Sequence, residues 1–127
     1  MELPENLKYT SSHEWIADNG DGTVTVGITA LATEQLGDLV YVELPKIGAA
    51  LARGASCAVV ESTKAASDVY APVSGEVVAA NADLGEHPER VNESPYGTGW
   101  LFKVKVSNRK ELGELLASAD YAKSAGV

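Results

Sequence analysis

The sequence predicts a mainly β fold, a flattened barrel or sandwich that carries short helices at its periphery. Strand-like runs recur at short intervals along the 127 residues, and turn-favouring residues such as glycine, asparagine and proline separate them. Residues 23–28 and 100–106 alternate apolar with polar or small residues, which indicates strands that bury one face. A chain of this length is large enough for one buried core, so we expect a single domain over residues 1–127.

The N-terminal part opens with a hairpin and a short helix. Strands are predicted over residues 13–18 and 23–28, and the Asn-Gly-Asp-Gly tetrapeptide between them favours a turn because asparagine and glycine accept positive φ. Thr29 is a suitable N-cap and Gly37 a suitable C-terminal stop for the helix predicted between them. The next strand, over residues 39–44, ends at a proline, which cannot continue a central ladder.

A lysine stands at the centre of a second predicted hairpin, whose tip lies near residues 62–67. Small residues surround Lys64, and β-favouring residues precede and follow them. An exposed lysine of this kind suits covalent modification, because a modifying enzyme must enclose the side chain from several directions. Taken alone, it is more often an ordinary solvated residue. Residues 37–42 and 75–80, however, each read glycine, acid and then an apolar strand, a weak internal repeat that brackets the hairpin.

Short helical pieces are expected near the C-terminus, over about residues 108–123. Asn108 is a suitable cap with Glu111 three residues later, and an apolar stripe follows at Leu112, Leu115 and Leu116. Ser118 is expected to cap a last turn that runs through Tyr121, with a frayed tail beyond it.

Composition narrows the range of partners. The net charge of −8 disfavours binding to nucleic acid or to an anionic membrane, and a content of 45% hydrophobic and 22% charged residues is ordinary for a soluble protein. No apolar run approaches the roughly 20 residues that span a bilayer. The single Cys57 permits no internal disulfide and is interpreted as a small buried hydrophobe. Because the first residues lack the pattern of a targeting segment, we expect a cytoplasmic protein.

Few residues are candidates for catalysis or metal binding. His13 and His87 are the only histidines, and neither has ligand spacing to the other or to Cys57, so no metal site is expected. The sequence shows no nucleophilic triad and no phosphate-binding glycine pattern. We therefore predict a protein without catalytic residues of its own.

The strongest signal is a match to a known family. The run Val-Glu-Ser-Thr-Lys-Ala-Ala-Ser-Asp at residues 60–68, followed by Ala-Pro-Val-Ser-Gly-Glu-Val at residues 71–77, resembles the lipoylation site of glycine cleavage system H-proteins. Biotin carriers typically flank their lysine with methionines, and lipoyl domains of 2-oxoacid dehydrogenases lack the other blocks. Thr63 replaces a valine that is common in the family and is isosteric with it. Further blocks resemble the family in the same order, among them Leu7-Lys8-Tyr9-Thr10, His13-Glu14-Trp15, Val42-Glu43-Leu44-Pro45 and Pro95-Tyr96-Gly97.

The resemblance implies a flattened barrel-sandwich hybrid of the lipoyl/biotinyl type and a function as a non-catalytic carrier. Lipoic acid would be bound covalently to Lys64 as an amide, giving an arm of roughly 14 Å. In the family, a pyridoxal-phosphate glycine decarboxylase loads an aminomethyl group onto the arm. A tetrahydrofolate-dependent aminomethyltransferase removes that group, and dihydrolipoyl dehydrogenase reoxidises the arm. A lipoyl or octanoyl transferase, or a lipoate–protein ligase, would attach the arm.

The resemblance also assigns roles to five further residues. Ser12, Glu14 and Asp68 would hold the carried amine in a cleft, where carboxylates suit a protonated amine. Glu61 and Gly75 would serve recognition by the lipoylating enzyme: Glu61 would mark the lysine, and Gly75 would permit a tight turn that sets the angle of the hairpin. Without the resemblance, each would be interpreted as an ordinary polar residue, a surface acid or a turn glycine.

Two other functions fit the same residues. The chain would look alike if it were a lipoyl relay or storage protein that donates lipoyl groups to other acceptor proteins. An unmodified β-sandwich adaptor would require Lys64 to remain free. The sequence does not separate these alternatives from a carrier, whereas the intact mass and the enzymes that copurify would.

Overall fold

Nine strands and three α-helices make up about half of the computed structural model, which describes residues 3–127. The strands are β1 (Lys8–Tyr9), β2 (Glu14–Asp18), β3 (Thr23–Ile28), β4 (Leu39–Glu43), β5 (Ala50–Leu51), β6 (Ser56–Ser62), β7 (Ala66–Tyr70), β8 (Gly75–Ala80) and β9 (Phe102–Val106). The helices are α1 (Ala30–Leu36), α2 (Glu89–Glu93) and α3 (Ser118–Ala125), with 3-10 helices at Ala82–Gly85 and Arg109–Glu114. None of the described helices is long and apolar enough to cross a membrane.

The strands form two antiparallel sheets that pack on each other as an open sandwich, which confirms the mainly β fold. The larger sheet has six strands in the order β1-β2-β3-β9-β8-β5, and the smaller has three in the order β4-β6-β7. Each sheet contributes alternate residues to a shared core. Burial of this core stabilises the fold by roughly 25 cal/mol per Å² of apolar surface and is the main stabilising contribution. Fully buried members of that core include Val26, Val60, Val73, Val77, Leu84, Phe102 and Val104.

Local signals produce the first hairpin and helix α1, as predicted. The turn between β2 and β3 contains Gly20 and Gly22, with φ values of 82° and 91°. Thr29 caps α1 by accepting a hydrogen bond from the Ala32 N–H at 3.3 Å. Gly37 ends the helix with a φ of 83°, and the chain then enters β4.

The segment after Asn108 is helical, but it is a 3-10 helix that ends at Glu114, so the apolar stripe predicted to continue through Leu115 and Leu116 is wrong. Asn108 does cap it, because its side-chain oxygen accepts from the Lys110 N–H at 3.1 Å. Glu111, however, does not complete a capping box. Its carboxylate accepts from the N–H and the hydroxyl of Ser74 at 2.7 and 3.1 Å. These contacts with a distant loop outweigh the local preference, and the chain becomes extended at Leu115.

Helix α3 differs from the prediction at both ends. Ala117 occupies the N-cap position, so Ser118 lies inside the helix and is not its cap. The helix continues past Tyr121 to Ala125, and Gly126 ends it with a φ of 76°. The expected end at Tyr121 is therefore wrong, because this buried tyrosine anchors the helix in its middle.

Tyr121 joins α3 to the starts of β2 and α1. Its ring stacks on that of Tyr9, with centroids 4.8 Å apart. Its hydroxyl lies 2.8 Å from Thr29 Oγ1 and 2.7 Å from His13 Nδ1. His13 has a φ of 76°, the only positive value at a described non-glycine residue, so β2 begins one residue later than predicted. This anchored turn sets the direction in which Glu14 leaves the backbone.

Tyr121→Phe is expected to lower the free energy of unfolding by about 1–3 kcal/mol, because it removes the hydroxyl that bonds to buried Thr29 and to half-buried His13. Urea denaturation followed by tryptophan fluorescence measures the change. Tyr41→Phe, at a position with 49% exposure, is the matched control. It should change stability by less than about 0.5 kcal/mol. Equal effects of the two substitutions would contradict an anchoring role for the Tyr121 hydroxyl.

Aromatic side chains connect the turn before β9 with β2 and α1. Trp15 donates its indole N–H to the Pro95 carbonyl at 2.9 Å, and its ring centroid lies 6.0 Å from that of Tyr96. The Tyr96 hydroxyl accepts from the Ala30 N–H at 3.0 Å. Gly27 leaves room for the indole, since a Cβ there would lie 2.6 Å from it. Sequence blocks 80 residues apart therefore meet in the fold.

Candidate functional site

The hairpin between β6 and β7 ends in a turn of exposed residues with Lys64 at its centre. Ser62 closes this turn, because its N–H donates to the Ala65 carbonyl at 2.8 Å. Its hydroxyl accepts from the N–H groups of Lys64 and Ala65 at 3.3 and 3.1 Å. The structure thus places Lys64, exposed, at the hairpin tip that the sequence predicts.

The Lys64 side chain lies beside the C-terminal end of α1. A Cβ built at Gly37 would be 3.4 Å from Lys64 Cε and 3.8 Å from Nζ. The carbonyl end of a helix attracts a nearby cation by roughly 0.3–1 kcal/mol. Glycine at position 37 therefore both ends the helix and leaves space for the lysine side chain.

A cavity of about 110 Å³ adjoins this end of α1. It is lined by Leu36, which precedes Gly37, and by Ser12, Glu14 and Asp68. The structure therefore brings together the three residues that the resemblance assigns to the carried amine. Its apolar lining also includes Ile28, Ala32, Val60 and Val69.

Glu14 is the buried acid of this cavity, with 1% of its surface exposed. Thr10 Oγ1 and Ser12 Oγ donate to its Oε1 at 2.5 and 2.6 Å, and the Tyr70 N–H donates to its Oε2 at 3.3 Å. Tyr70 belongs to β7, an edge strand, so the carboxylate takes the place of a neighbouring strand. Burial raises the pKa of Glu14 above its ordinary value, although the hydroxyls of Ser12 and Thr10 act in the opposite direction.

Thr10 and the Tyr70 N–H are parts of this arrangement that the sequence analysis missed. Thr10 belongs to the run Thr-Ser-Ser at residues 10–12, and this cluster of hydroxyls before an acid is the one local signal that could have revealed it. The Tyr70 N–H lies 56 residues from Glu14 in the chain, so only the packing of β7 brings the two groups together.

Asp68 lies at the rim of the cavity. It is exposed and pairs with Val59 across β6 and β7. Its Oδ1 accepts a hydrogen bond from the Ser56 hydroxyl at 3.0 Å. A carboxylate accepts several hydrogen bonds, so this partner does not prevent Asp68 from binding an amine as well.

A second cavity, of about 270 Å³, borders Glu14 from another side. Arg53 and Glu114 form an ion pair of 2.5 Å among its lining residues. Only the smaller of these two cavities is lined by Leu36, which precedes Gly37, the residue that the Lys64 side chain approaches. The smaller cavity is therefore the better candidate for a group attached to Lys64.

Cys57 has the properties of a packing residue. Its thiol is half-buried and donates to the Val69 carbonyl at 3.4 Å. Burial, with a smaller contribution from the negative charge of Glu14, raises the pKa of Cys57 to about 12. Because the thiolate is the nucleophilic form, this raised pKa disfavours reaction of the thiol at neutral pH.

The two histidines lie in different surroundings. His13 is hydrogen-bonded to Tyr121, and burial lowers its pKa. His87 is exposed, 3.4 Å from Glu89. Within residues 3–127, no group of three or more His, Cys, Asp or Glu side chains is arranged to hold a metal ion.

Glu61 lies on the outer side of the smaller sheet. It is the penultimate residue of β6, between Tyr41 of β4 and Ala66 of β7. Its neighbours on the strand, Val60 and Ser62, are buried, so Glu61 points away from the core. It therefore lies on the surface next to the hairpin tip.

Gly75 begins β8, and it does not have the positive φ of a turn glycine. The interpretation of Gly75 as a tight-turn residue is therefore wrong. A Cβ there would overlap the Lys105 carbonyl oxygen and would lie 2.7 Å from Val104 Cγ1. Close approach of β8 and β9 requires a glycine at this position.

Gly75→Ala is expected to lower the free energy of unfolding by about 1–3 kcal/mol or more, because the new methyl group overlaps backbone that cannot move freely. Thermal and urea denaturation measure the effect. Gly113→Ala is the matched control, since a Cβ at Gly113 meets nothing within 4 Å. Equal stability of the two variants, with loss of Lys64 modification in Gly75→Ala alone, would assign Gly75 to recognition and not to packing.

The fold and the site together define a class of protein. Two antiparallel sheets hold a hairpin that presents an exposed lysine at its tip. A cavity with a buried carboxylate adjoins it and is large enough for a small amine. These are the features of a mainly β carrier domain whose lysine bears a covalently attached group.

Comparisons with known proteins identify the family. The family model described as glycine cleavage H-protein matches residues 7–126. The glycine cleavage system H protein of Laribacter hongkongensis (strain HLHK9) is 56% identical over 124 residues, which covers 98% of each chain. That of Pseudoalteromonas translucida (strain TAC 125) is 56% identical over 120 residues, covering 94% of this chain and 93% of the relative. A crystal structure of a glycine cleavage system H protein from Mycobacterium marinum is 44% identical with a TM-score of 0.90, covering 98% of this chain and 100% of that chain.

The chain belongs to the glycine cleavage H-protein family. It is therefore a lipoyl carrier of the glycine cleavage system. The family match over residues 7–126 spans the hairpin, both cavities and all of α3, so the similarity extends far beyond the lysine motif.

Proposed function

We propose that lipoic acid is attached to Lys64 through an amide bond and that this arm carries the aminomethyl group of glycine. The observation that supports the proposal most strongly is the exposed position of Lys64 at the tip, beside a cavity lined by Glu14. The lipoyl group supplies the dithiolane chemistry when it is bound. The protein contributes attachment, orientation and protection from water.

The residues around the smaller cavity fit a small protonated amine. Burial raises the pKa of Glu14, because it disfavours the charged carboxylate. A cation bound beside Glu14 has the opposite effect and favours the ionised form. The hydroxyls of Thr10 and Ser12 donate to its Oε1 and hold the carboxylate in one orientation. Asp68 offers a second acceptor at the rim. The apolar wall excludes water from the amine.

The partners follow from this assignment. The arm visits a glycine decarboxylase, a tetrahydrofolate-dependent aminomethyltransferase and dihydrolipoyl dehydrogenase, after a lipoyl or octanoyl transferase or a lipoate–protein ligase has attached it. Family membership supports these partners, because a carrier of the glycine cleavage system exchanges its group with the other components. The protein is non-catalytic in this scheme. A reducing compartment, the cytoplasm, suits its free Cys57.

Modification of a single lysine tests the proposal. Unmodified protein is incubated with lipoate, ATP and a lipoate–protein ligase, and peptide mass spectrometry locates the product. We expect Lys64 alone to be labelled. Loss of its charge changes the formal net charge from −8 to −9, which a native gel detects. Labelling of Lys46 or Lys103 in place of Lys64, or no labelling at all, would overturn the proposal.

A further inference from the structure

The outer face of the smaller sheet presents apolar and acidic residues directly beside the hairpin tip. We call Val40, Tyr41, Glu43 and Glu61 the acidic sheet face. We propose that this face is the docking surface for the enzyme that attaches lipoic acid to Lys64. The inference rests on the proposed modification of that lysine.

A β-bulge places two consecutive apolar residues on this face. Between Leu39 and Tyr41, strand β4 advances two residues while its partner β6 advances one, so Val40 is the additional residue. Leu39 and Val42 are buried, whereas Val40 and Tyr41 between them are 54% and 49% exposed. The bulge therefore turns both side chains outward, where a regular strand would expose only one of them.

Charge on the smaller sheet has a single sign. Strands β4, β6 and β7 contribute Glu43, Glu61 and Asp68, and they contain no lysine or arginine. Tyr41 lies opposite Glu61, and Glu43 lies opposite Val59, so acidic and apolar positions alternate across the face. The surface complementary to this pattern is positively charged and has a shallow apolar pocket.

Distance identifies the partner that needs this face. A lysine side chain extends roughly 6 Å from its Cα, so an enzyme that acylates Lys64 Nζ must approach the hairpin tip closely. Glu61 is three residues from Lys64 in the chain, and Tyr41 on β4 pairs with Glu61. A protein surface seated over the tip therefore also covers the acidic sheet face. Enzymes that act on the extended arm meet its reacting group roughly 14 Å beyond the lysine, so they reach it without seating on the tip.

Kinetics of lipoylation test the docking surface. Val40→Ser and Tyr41→Ser are expected to lower kcat/KM of a lipoate–protein ligase for the unmodified carrier by about 10-fold or more, mainly through KM. Glu43→Gln should lower kcat/KM by about 3-fold and weaken its dependence on salt. Val78→Ser and Glu76→Gln, at exposed positions on β8, are the matched controls and should stay within about twofold of wild type. Thermal unfolding verifies that each variant is folded.

The same variants give a second measurement after complete lipoylation by prolonged incubation with excess ligase. Their glycine–bicarbonate exchange with glycine decarboxylase is expected to stay within about twofold of wild type. Normal lipoylation kinetics of the variants would overturn the proposed docking surface. If lipoylation were normal and only the exchange were lost, the face would be assigned to the decarboxylase. Failure of wild type to be modified at Lys64 would instead overturn the proposed function.

Discussion

Lys64→Arg is expected to reduce glycine–bicarbonate exchange to the level measured without any carrier, while the fold stays intact. Arginine keeps the positive charge, but its guanidinium does not form the amide that a ligase makes with an ammonium side chain. The position is exposed at a turn, so the free energy of unfolding should change by less than about 0.5 kcal/mol. The loss therefore reports on attachment of the arm and not on stability.

The exchange is measured as glycine-dependent incorporation of labelled bicarbonate in the presence of the decarboxylase and without free lipoate. Lys46→Arg, at an exposed lysine outside the hairpin, is the control and should retain full exchange. Exchange by Lys64→Arg above the carrier-free background would show that the arm is attached elsewhere.

Short-range signals in the sequence predict the elements that hold the tip. Thr29 and Gly37 cap the two ends of α1, and the bonds they make join residues within one helical turn. The small residues around Lys64 likewise predict a hairpin turn, which Ser62 closes through its immediate neighbours. Sequence suffices here because the groups that define each element are close together in the chain.

Features that depend on distant contacts could not be predicted in the same way. The motif predicts a role for Glu14, but its burial, which raises its pKa, depends on packing against β7, whose Tyr70 N–H donates to it. Helix α3 extends past its expected end because Tyr121 bonds to Thr29 and His13, which lie 92 and 108 residues earlier. No local sequence pattern predicts such long-range hydrogen bonds.

Gly75 shows that the fold can require a glycine for a reason other than the predicted one. Glycine is selected both where φ must be positive and where two backbones approach closely, and sequence alone does not separate the two causes. The overlap that a Cβ at this position would make with the Lys105 carbonyl identifies the second cause.

Glu14→Ala is expected to shorten the lifetime of the aminomethyl-loaded carrier by roughly 10- to 100-fold, because a hydrogen bond to a charged group contributes about 1.5–3 kcal/mol. The substitution removes the buried carboxylate of the smaller cavity and admits water to the carried amine. Lipoylation should remain normal, since the turn that presents Lys64 is held by Ser62 and not by Glu14.

Glu14→Gln separates the charge from the hydrogen bonds. A glutamine carbonyl can accept from the Tyr70 N–H while its amide group donates to the oxygens of Thr10 and Ser12, so the neutral side chain keeps the present arrangement. We expect a lifetime between those of wild type and Glu14→Ala, because the glutamine retains the shape and an acceptor but lacks the negative charge.

The pH dependence follows from the raised pKa of Glu14. In the loaded carrier, the ammonium group beside Glu14 lowers the pKa of its carboxyl again, so protection by wild type should decline toward that of Glu14→Gln only as pH falls through this lower value. In the unloaded carrier, the folded state binds the Glu14 proton more readily than the unfolded state does. The contribution of Glu14 to stability is therefore fully present below its ordinary pKa of 4.5 and decreases as pH rises to the raised value. Glu14→Gln should lack that decrease.

Intact mass spectrometry of loaded carrier, isolated from its enzymes, follows the release of ammonia and formaldehyde at several pH values. Wild type should retain its load longer as pH rises toward neutral, because the ammonium group beside Glu14 favours the ionised carboxylate. If wild type and Glu14→Ala decay equally fast at neutral pH, the cavity does not protect through this carboxylate. Glu14 would then serve only as the acceptor for Thr10, Ser12 and the Tyr70 N–H, and its removal would change the free energy of unfolding without changing the lifetime of the load.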